Sequence, residues 1–253
     1  MASFLVTGAS RGYGLALVRE LASMPSSEVS KVLASARSES PALGELVQQS
    51  SGQVAVIKFD VTDQDSIQKA AVEAVTQLGG KGLDVLINNA GVAYWNPNGI
   101  RTMENLEDAF AVNVLGAHWV TREFLPLLQQ GHLKKVMNIS SAAASITLAR
   151  DFTHLKNPAY KISKAALNAL TAQFALEYEK EGFTIFAVSP GWMKTEMGGG
   201  DAADLTPEES AKAALNFIFN KGKELNGRFL KVHIKGWENR KGRAAYDGTD
   251  APW

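Results

Sequence analysis

"TGASRGYG", residues 7–14, puts three glycines within seven positions, directly after the apolar run "SFLV" and directly before an amphipathic stretch. Strand, glycine-rich turn and helix, in that order, is how an open α/β sheet presents backbone N–H groups to a pyrophosphate. Gly8 permits a tight turn. Gly12 lets backbone approach a phosphate with no side chain between. Gly14 lets the helix pack closely on the strand. The spacing is T-G-x-x-x-G-x-G, not the G-x-G-x-x-G of the dinucleotide fingerprint.

Outward from this loop, short apolar runs alternate with longer amphipathic ones. Strands are predicted at 3–8, 31–37, 53–60, 83–91, 134–141, 183–191 and 227–233. Helices are predicted at 13–24, 41–50, 63–80, 103–130, 159–182 and 206–220. Pro126 is expected to end or kink the last turn of the 103–130 helix. The strands are apolar throughout instead of alternating, as when helices cover both faces of a parallel sheet. The expectation is an α/β fold: one Rossmann-type domain over residues 1–253, a doubly wound parallel sheet of seven strands flanked by helices. The polar, Gly-rich tail from 236 to 253 is expected to wrap the surface or cover a site, with part of it disordered.

Composition narrows the function. Lys plus Arg is 26 and Asp plus Glu is 26, so the net charge is zero, which argues against a basic nucleic-acid binder. There is no cysteine, so disulfides, thiolate metal sites and a cysteine nucleophile are excluded. His118, His132, His154 and His233 are scattered and none sits at a metal-ligand spacing, so no metal is assigned. No apolar run is long enough for a membrane span, and "MASFLVTG" lacks a basic segment ahead of an apolar one. A cytoplasmic protein is expected.

Four motifs carry the chemistry: the glycine loop, "NNAG" (88–91), "YKISK" (160–164) and "PG" (190–191). Together, in this order and across nearly the whole chain, they resemble the short-chain dehydrogenase/reductase family in its compact branch. The extended branch of epimerases and dehydratases has T-G-x-x-G-x-x-G and a larger C-terminal domain, and this chain has neither. Tyr160 lies 19 positions after Ser141, a longer gap than is usual in the family. That insert, with "YKISKAALN" and a Trp after "PG", resembles the sniffer-type carbonyl reductases and the fungal norsolorinic acid ketoreductase-like ketoreductases.

Tyr160 and Lys164 are four apart on one helix and share a face. A phenol with its ordinary pKa of about 10 is a poor acid–base group at neutral pH. A nearby ammonium, and the positive charge of an oxidised nicotinamide, are expected to lower it. Tyr160 then serves as proton donor to a carbonyl oxygen, and Lys164 orients the nicotinamide ribose. Ser140 and Ser141 both end a strand at the sheet's carboxyl edge. The resemblance favours Ser141 as the carbonyl polariser, although adjacent strand residues point in opposite directions. By the same resemblance, Asn113 holds a water against the lysine.

For the cofactor, Ala36 stands at the end of the second strand, where an NAD-preferring site has a carboxylate, and Arg37 follows it. Arg11 lies inside the glycine loop. Two guanidinium groups suit a 2′-phosphate, so NADP(H) is expected. The cofactor site expected from the loop and the resemblance comprises Gly8, Ser10, Arg11, Gly12, Tyr13, Gly14, Arg37, Asp60, Val61, Asn89, Ala90, Gly91, Tyr160, Lys164, Pro190, Gly191 and Thr195. Asp60 and Val61 are placed at the adenine. Asn89, Ala90 and Gly91 are placed on the adenosine-ribose side, and Thr195 at the nicotinamide carboxamide. Substrate walls are expected from Tyr94, Trp95, the insert near Phe152, and Trp192–Met193, under a mobile lid of about 192–210. The reading is an NADPH-dependent ketoreductase acting on an apolar or aromatic ketone or aldehyde. The alternative is a catalytically silent NADP(H)-binding regulator. The resemblance also allows a homodimer or homotetramer through the 103–130 and 159–182 helices.

Overall fold

The computed structural model describes residues 1–239 and 245–253. Seven parallel strands form one sheet in the order β3-β2-β1-β4-β5-β6-β7. They are β1 (Ala2–Val6), β2 (Val29–Ala36), β3 (Val54–Lys58), β4 (Val85–Asn88), β5 (Lys135–Ile139), β6 (Thr184–Ser189) and β7 (Phe229–Lys231). The sheet grows outward from β1 through β2 to β3, then returns to place β4 on the other side of β1. This reversal opens a crevice at the carboxyl ends of β1 and β4, the point where doubly wound sheets bind ligands.

The unbroken apolar runs have the expected cause. Along β1, Phe4 and Val6 face one core while Leu5 faces the other. In β4, Val85 and Ile87 face the first and Leu86 the second. Helices α1 (Gly12–Ala22), α2 (Pro41–Gln49) and a C-terminal helix Pro207–Asn220 cover the first face. The second is covered by α3 (Gln64–Gln77) and by the helical stretch that precedes β5.

That stretch departs from the predicted single helix. A 3-10 turn at Ile100–Thr102 precedes α4 (Leu106–Phe110), then a π-helical turn over Ala111–Gly116, then α5 (Ala117–Gln130). The helix runs through Pro126 to Gln130. Proline in a helix costs about 3 kcal/mol. Phe124, Leu127 and Leu128 in the same two turns are buried, and each such side chain contributes about 1.5–3 kcal/mol, so packing wins. Helix α6 (Pro158–Glu177) stops short of the predicted 182, and Gly182 at φ +85° closes the following 3-10 turn. The Pro207–Asn220 helix, α7, starts at a reciprocal cap between Thr206 and Glu209. Among the described residues no helix is long and apolar enough to cross a membrane.

The tail is more tightly held than its composition implies. Residues 240–244 lie outside the described residues, but 245–253 run along the outer edge of β7. Lys231 N–H donates to Thr249 O at 2.9 Å and Ala251 N–H to Phe229 O at 2.8 Å. Ala251 is buried against Ala187 and Phe229, and Trp253 packs its ring on Phe229. The expectation of disorder does not hold over 245–253, because these residues pair an open strand edge and bury apolar surface.

Candidate active site

The glycine loop joins β1 to α1 at the crevice. Gly8 has φ +66°, and a Cβ there would lie 2.9 Å from Ala90 Cα. Gly14 is tighter: a Cβ would meet Gly8 O at 2.2 Å. Both glycines are therefore fixed by backbone approach. Gly12, at φ +55°, has only the Thr195 methyl near, at 3.7 Å, so its open side faces the crevice. Ser10, Arg11 and Gly12 form the solvent-facing part of the loop, where the first N–H groups of α1 have no helical partner. A side-chain-free cradle, helix amides and adjacent cations fit a dinucleotide pyrophosphate.

Thr7 stitches this loop to β4. Its hydroxyl oxygen accepts from Asn89 N–H and Ala90 N–H, each at 2.9 Å. Asn89 Nδ2 donates back to Thr7 O at 2.8 Å and Gly8 O at 3.3 Å. The Asn89 side chain thus holds the loop. The Tyr13 side chain is turned into the core with α7, and burial pushes its phenol pKa well up, against a weak bond to Ser210. Only its main chain belongs to the loop. The reason is helical phase, since position 13 falls on the buried face of α1.

The cations expected at the 2′-phosphate are both paired. Arg11 Nη1 bonds Glu196, and both side chains are exposed. Arg37 Nη1 lies 3.6 Å from Asp60 Oδ2. Burial alone would raise the Asp60 pKa, but hydrogen bonds from the Thr62 amide and hydroxyl, and the Arg37 charge, hold it below the usual carboxylate range. Val61 is packed under Gly116, where a Cβ would lie 3.0 Å from it. Ala36 is the last residue of β2 and is buried.

At the carboxyl end of β5 the two serines separate. Ser140 is buried, and its Oγ donates to Asn168 Oδ1 at 2.6 Å. Ser141 Oγ accepts from Ala143 N–H at 3.2 Å and lies on the side of the Tyr160 phenol, where it acts to lower that phenol's pKa. Tyr160 and Lys164 sit on α6, and Lys164 Nζ lies 6.0 Å from the Tyr160 ring centroid. Burial raises the Tyr160 pKa, and Ser141 opposes it. This corrects the expectation that the ammonium lowers that pKa. Lys164 is itself buried, which brings its own pKa down to about 8. Its Nζ donates to Ile139 O at 2.6 Å, so the ammonium turns toward the end of β5. A Cβ at Gly91 would lie 3.5 Å from that Nζ and 3.1 Å from Asn113 Oδ1. Gly91 therefore keeps the floor of the crevice open beside the lysine.

Asn113 lies in the π-helical turn and is buried. Its Oδ1 accepts from Val92 N–H at 2.8 Å, and its Nδ2 donates to Val92 O and to Ser163 Oγ, both at 2.9 Å. Both Nδ2 hydrogens are used on protein partners, while Oδ1 keeps a second lone pair on the side of Gly91 and Lys164. Ser163, which the sequence did not single out, passes the contact on, its hydroxyl donating to Tyr160 O at 2.9 Å. "YKISK" contained this signal, because the serine falls on the same helical face as Tyr160 and Lys164.

Beyond β6, Pro190 O accepts from Ser210 Oγ at 2.6 Å, and Gly191 has φ +87°. The chain then makes the loop 192–205. Trp192 Nε1 donates to Gly198 O at 2.6 Å, and Thr195 Oγ1 accepts from Gly198 N–H at 3.0 Å. Within the insert, Phe152 is buried in a small cluster with Ala142 and Ala143. Trp95, Ile146 and Met197 are 61%, 78% and 56% exposed, on the loops following β4, β5 and β6.

A family model described as short chain dehydrogenase matches residues 3–225. The short chain dehydrogenase virK of Hypocrea virens is 32% identical over 269 residues, covering 98% of this chain and 96% of that protein. Among solved structures, the NADPH-bound carbonyl reductase from chicken fatty liver matches with a TM-score of 0.85 at 30% identity, covering 100% of this chain and 99% of that one. The carbonyl reductase Sniffer of D. melanogaster matches with a TM-score of 0.84 at 27% identity, covering all of both chains.

Proposed function

Since this chain belongs to the short chain dehydrogenase family, we propose that it is an NADPH-dependent carbonyl reductase that converts an apolar or aromatic ketone or aldehyde to the alcohol. The observation that carries this reading is the pairing of Ser141 with the Tyr160 phenol one helical turn from Lys164, at the crevice beside the glycine loop. A bound nicotinamide cofactor supplies the hydride. Ser141 donates a hydrogen bond to the substrate oxygen and polarises the carbonyl. Tyr160, kept protonated by burial, gives that oxygen a proton. Lys164, held at the end of β5 by Ile139 O and lying beside Gly91, orients the nicotinamide ribose. Asn113 and Ser163 hold Val92 and Tyr160 in register as positioning residues.

Gly8, Gly12 and Gly14 shape the pyrophosphate site, Ser10 and the main chain of Tyr13 complete the loop, and Thr195 covers it from the lid. NADP(H) over NAD(H) is supported by Arg11 and Arg37, by Ala36 at the end of β2, and by the NADPH held in the chicken enzyme. Each guanidinium must then exchange its carboxylate partner, or share it, when the 2′-phosphate arrives. The apolar substrate class is supported by Trp95, Ile146 and Met197, which expose large apolar surface on three loops at the same sheet edge. Exposed Leu115 and Leu176, on the π-helical turn before α5 and on α6, support self-association through those helices.

The test is the loss of NADPH absorbance against a panel of aromatic ketones, diketones and quinones, repeated with Tyr160→Phe. Turnover by the natural chain and a loss of at least about 100-fold in the variant, with unchanged NADPH binding, is the expected result. Tight NADPH binding with no turnover on any carbonyl would favour a regulator instead.

A further inference from the structure

The loop after β6 is held at its base by the tail. Trp192 O accepts from Asp204 N–H at 3.1 Å and Leu205 N–H at 3.0 Å, and Lys194 N–H donates to Leu205 O at 2.8 Å. The two stalks therefore lie side by side as they leave the sheet. Tyr246 bridges them. Its phenol oxygen accepts from Trp192 N–H at 3.2 Å, and its O–H donates to the Asp204 carboxylate at 2.7 Å. The ring is buried over Gly191, where a Cβ would lie 3.1 Å from Tyr246 Cε1 and 2.7 Å from Leu205 Cδ1. Tyr246 thus locks the junction between β6 and the lid from outside the lid itself.

Beyond the stalks the loop is built differently. Gly199 and Gly200 have φ +89° and +65°, with open space where a Cβ would stand. Met197 is exposed, and the bond from Glu196 to Arg11 is a surface contact. The tip is held back chiefly at Gly198, by Trp192 Nε1 and Thr195, and has fewer buried contacts than the stalks. The same tail also reaches the opposite wall of the crevice. Trp253 O accepts from Thr147 N–H at 3.1 Å and Thr147 Oγ1 at 2.8 Å, on the insert after β5.

We propose that Tyr246 is a positioning residue for substrate: its phenol clasps both stalks of the lid, so that only the tip, about 196–202, opens over the crevice. This rests on the carbonyl-reductase reading above. A short flap on fixed stalks returns to one closed geometry over the reacting carbonyl, and a long loop does not. The clasp itself touches Trp192 and Asp204 and not the glycine loop, while Thr195 and Glu196 of the same loop reach Gly12 and Arg11, so its loss weakens substrate binding more than cofactor binding.

The experiment compares the natural chain with Tyr246→Phe, which keeps the ring and removes the clasp. It reads NADPH binding, KM and kcat on the best ketone of the panel, and the rate of tryptic cleavage after the exposed lid residue Lys194. The expected result is KM raised about tenfold, within what the two lost hydrogen bonds support, NADPH affinity reduced less than that, and faster cleavage after Lys194. Asp204→Ala cuts the clasp from its other side and is expected to do the same, so a misfolded first variant leaves the test standing. Natural KM and natural cleavage in both variants would overturn the proposal, as would NADPH affinity falling in step with substrate affinity. If the natural chain reduces no carbonyl, the functional reading fails, and the cleavage rate still decides the clasp.

Discussion

Ser140 and Ser141 are neighbours that serve opposite sides of one strand end: Ser140 Oγ donates to Asn168 Oδ1 at 2.6 Å in the core, and Ser141 is turned to the side of Tyr160, where it acts to lower the phenol's pKa. Alanine at each position separates the two roles. Ser141→Ala is expected to lower kcat about 100-fold, with only the small stability loss of its cap on Ala143 N–H. Ser140→Ala leaves Asn168 Oδ1 without its buried donor and is expected to cost about 1–3 kcal/mol of stability, while the folded fraction turns over normally. Denaturant unfolding and kcat on both variants check this. Turnover lost at natural stability in Ser140→Ala would reverse the assignment.

The paired arginines make cofactor choice a matter of exchange between anions. Arg37→Asp sets a second carboxylate beside Asp60, and NADPH binding is expected to weaken about 100-fold more than NADH binding. Glu196→Gln releases Arg11 and is expected to tighten NADPH a few-fold at low salt, with the gain fading as salt rises. Fluorescence titrations with both dinucleotides check the pair. Equal losses for NADPH and NADH in Arg37→Asp would remove the 2′-phosphate from the argument.

Lys164 carries a buried charge, and its pKa of about 8 in the fold lies below the lysine value of 10.5. The unfolded chain therefore binds the extra proton between those limits, and stability rises with pH across that window. Below about pH 8 the burial penalty is present in full, at roughly 3 kcal/mol by the size of the shift. Above 10.5 it is gone. Lys164→Met is expected to be more stable than the natural chain at pH 7 and to lose that advantage by pH 10.5, while losing turnover. Urea unfolding of both proteins at a series of pH values measures it, and parallel pH curves would refute it.

Two glycines of one loop fail differently. Gly14→Ala drives a Cβ to 2.2 Å from Gly8 O, and a loss of about 1–3 kcal/mol or more is expected from overpacking. Gly12→Ala meets nothing nearer than 3.7 Å and costs about 1–2 kcal/mol for its left-handed φ. Its larger effect is expected on cofactor affinity, since the new methyl stands where the phosphate approaches. Thermal unfolding and NADPH titration separate the outcomes. A stable Gly14→Ala with natural cofactor affinity would contradict the packing account.

What the sequence disclosed follows the range of the forces involved. Backbone freedom at Gly8, Gly12 and Gly14, and the one-turn spacing of Tyr160 and Lys164, are local, so the fold, the crevice and the shared helix face of that pair were legible. The alternation of Phe4, Leu5 and Val6 between two cores likewise needed only the strand period. Contacts between distant segments left no local mark. The partner of Arg11 is 185 positions away, and the buried phase of Tyr13 depends on α7. Nothing in "AAYDGTDAPW" announces that its tyrosine grips the lid. The fate of the Lys164 ammonium was missed for the same reason, because spacing cannot reveal that burial and the Ile139 carbonyl outweigh its neighbour's phenol.

The run of residues 245–253 beside β7 also decides how such molecules can meet. An uncovered rim is adhesive, since its free amides and carbonyls will take up any extended segment that arrives. With the β7 rim already capped from within, β3 is the flank left for such recruitment among the described residues. A particle with a single adhesive flank can join one other and then stops. Growth by strand addition would therefore end at a pair and never propagate into a filament.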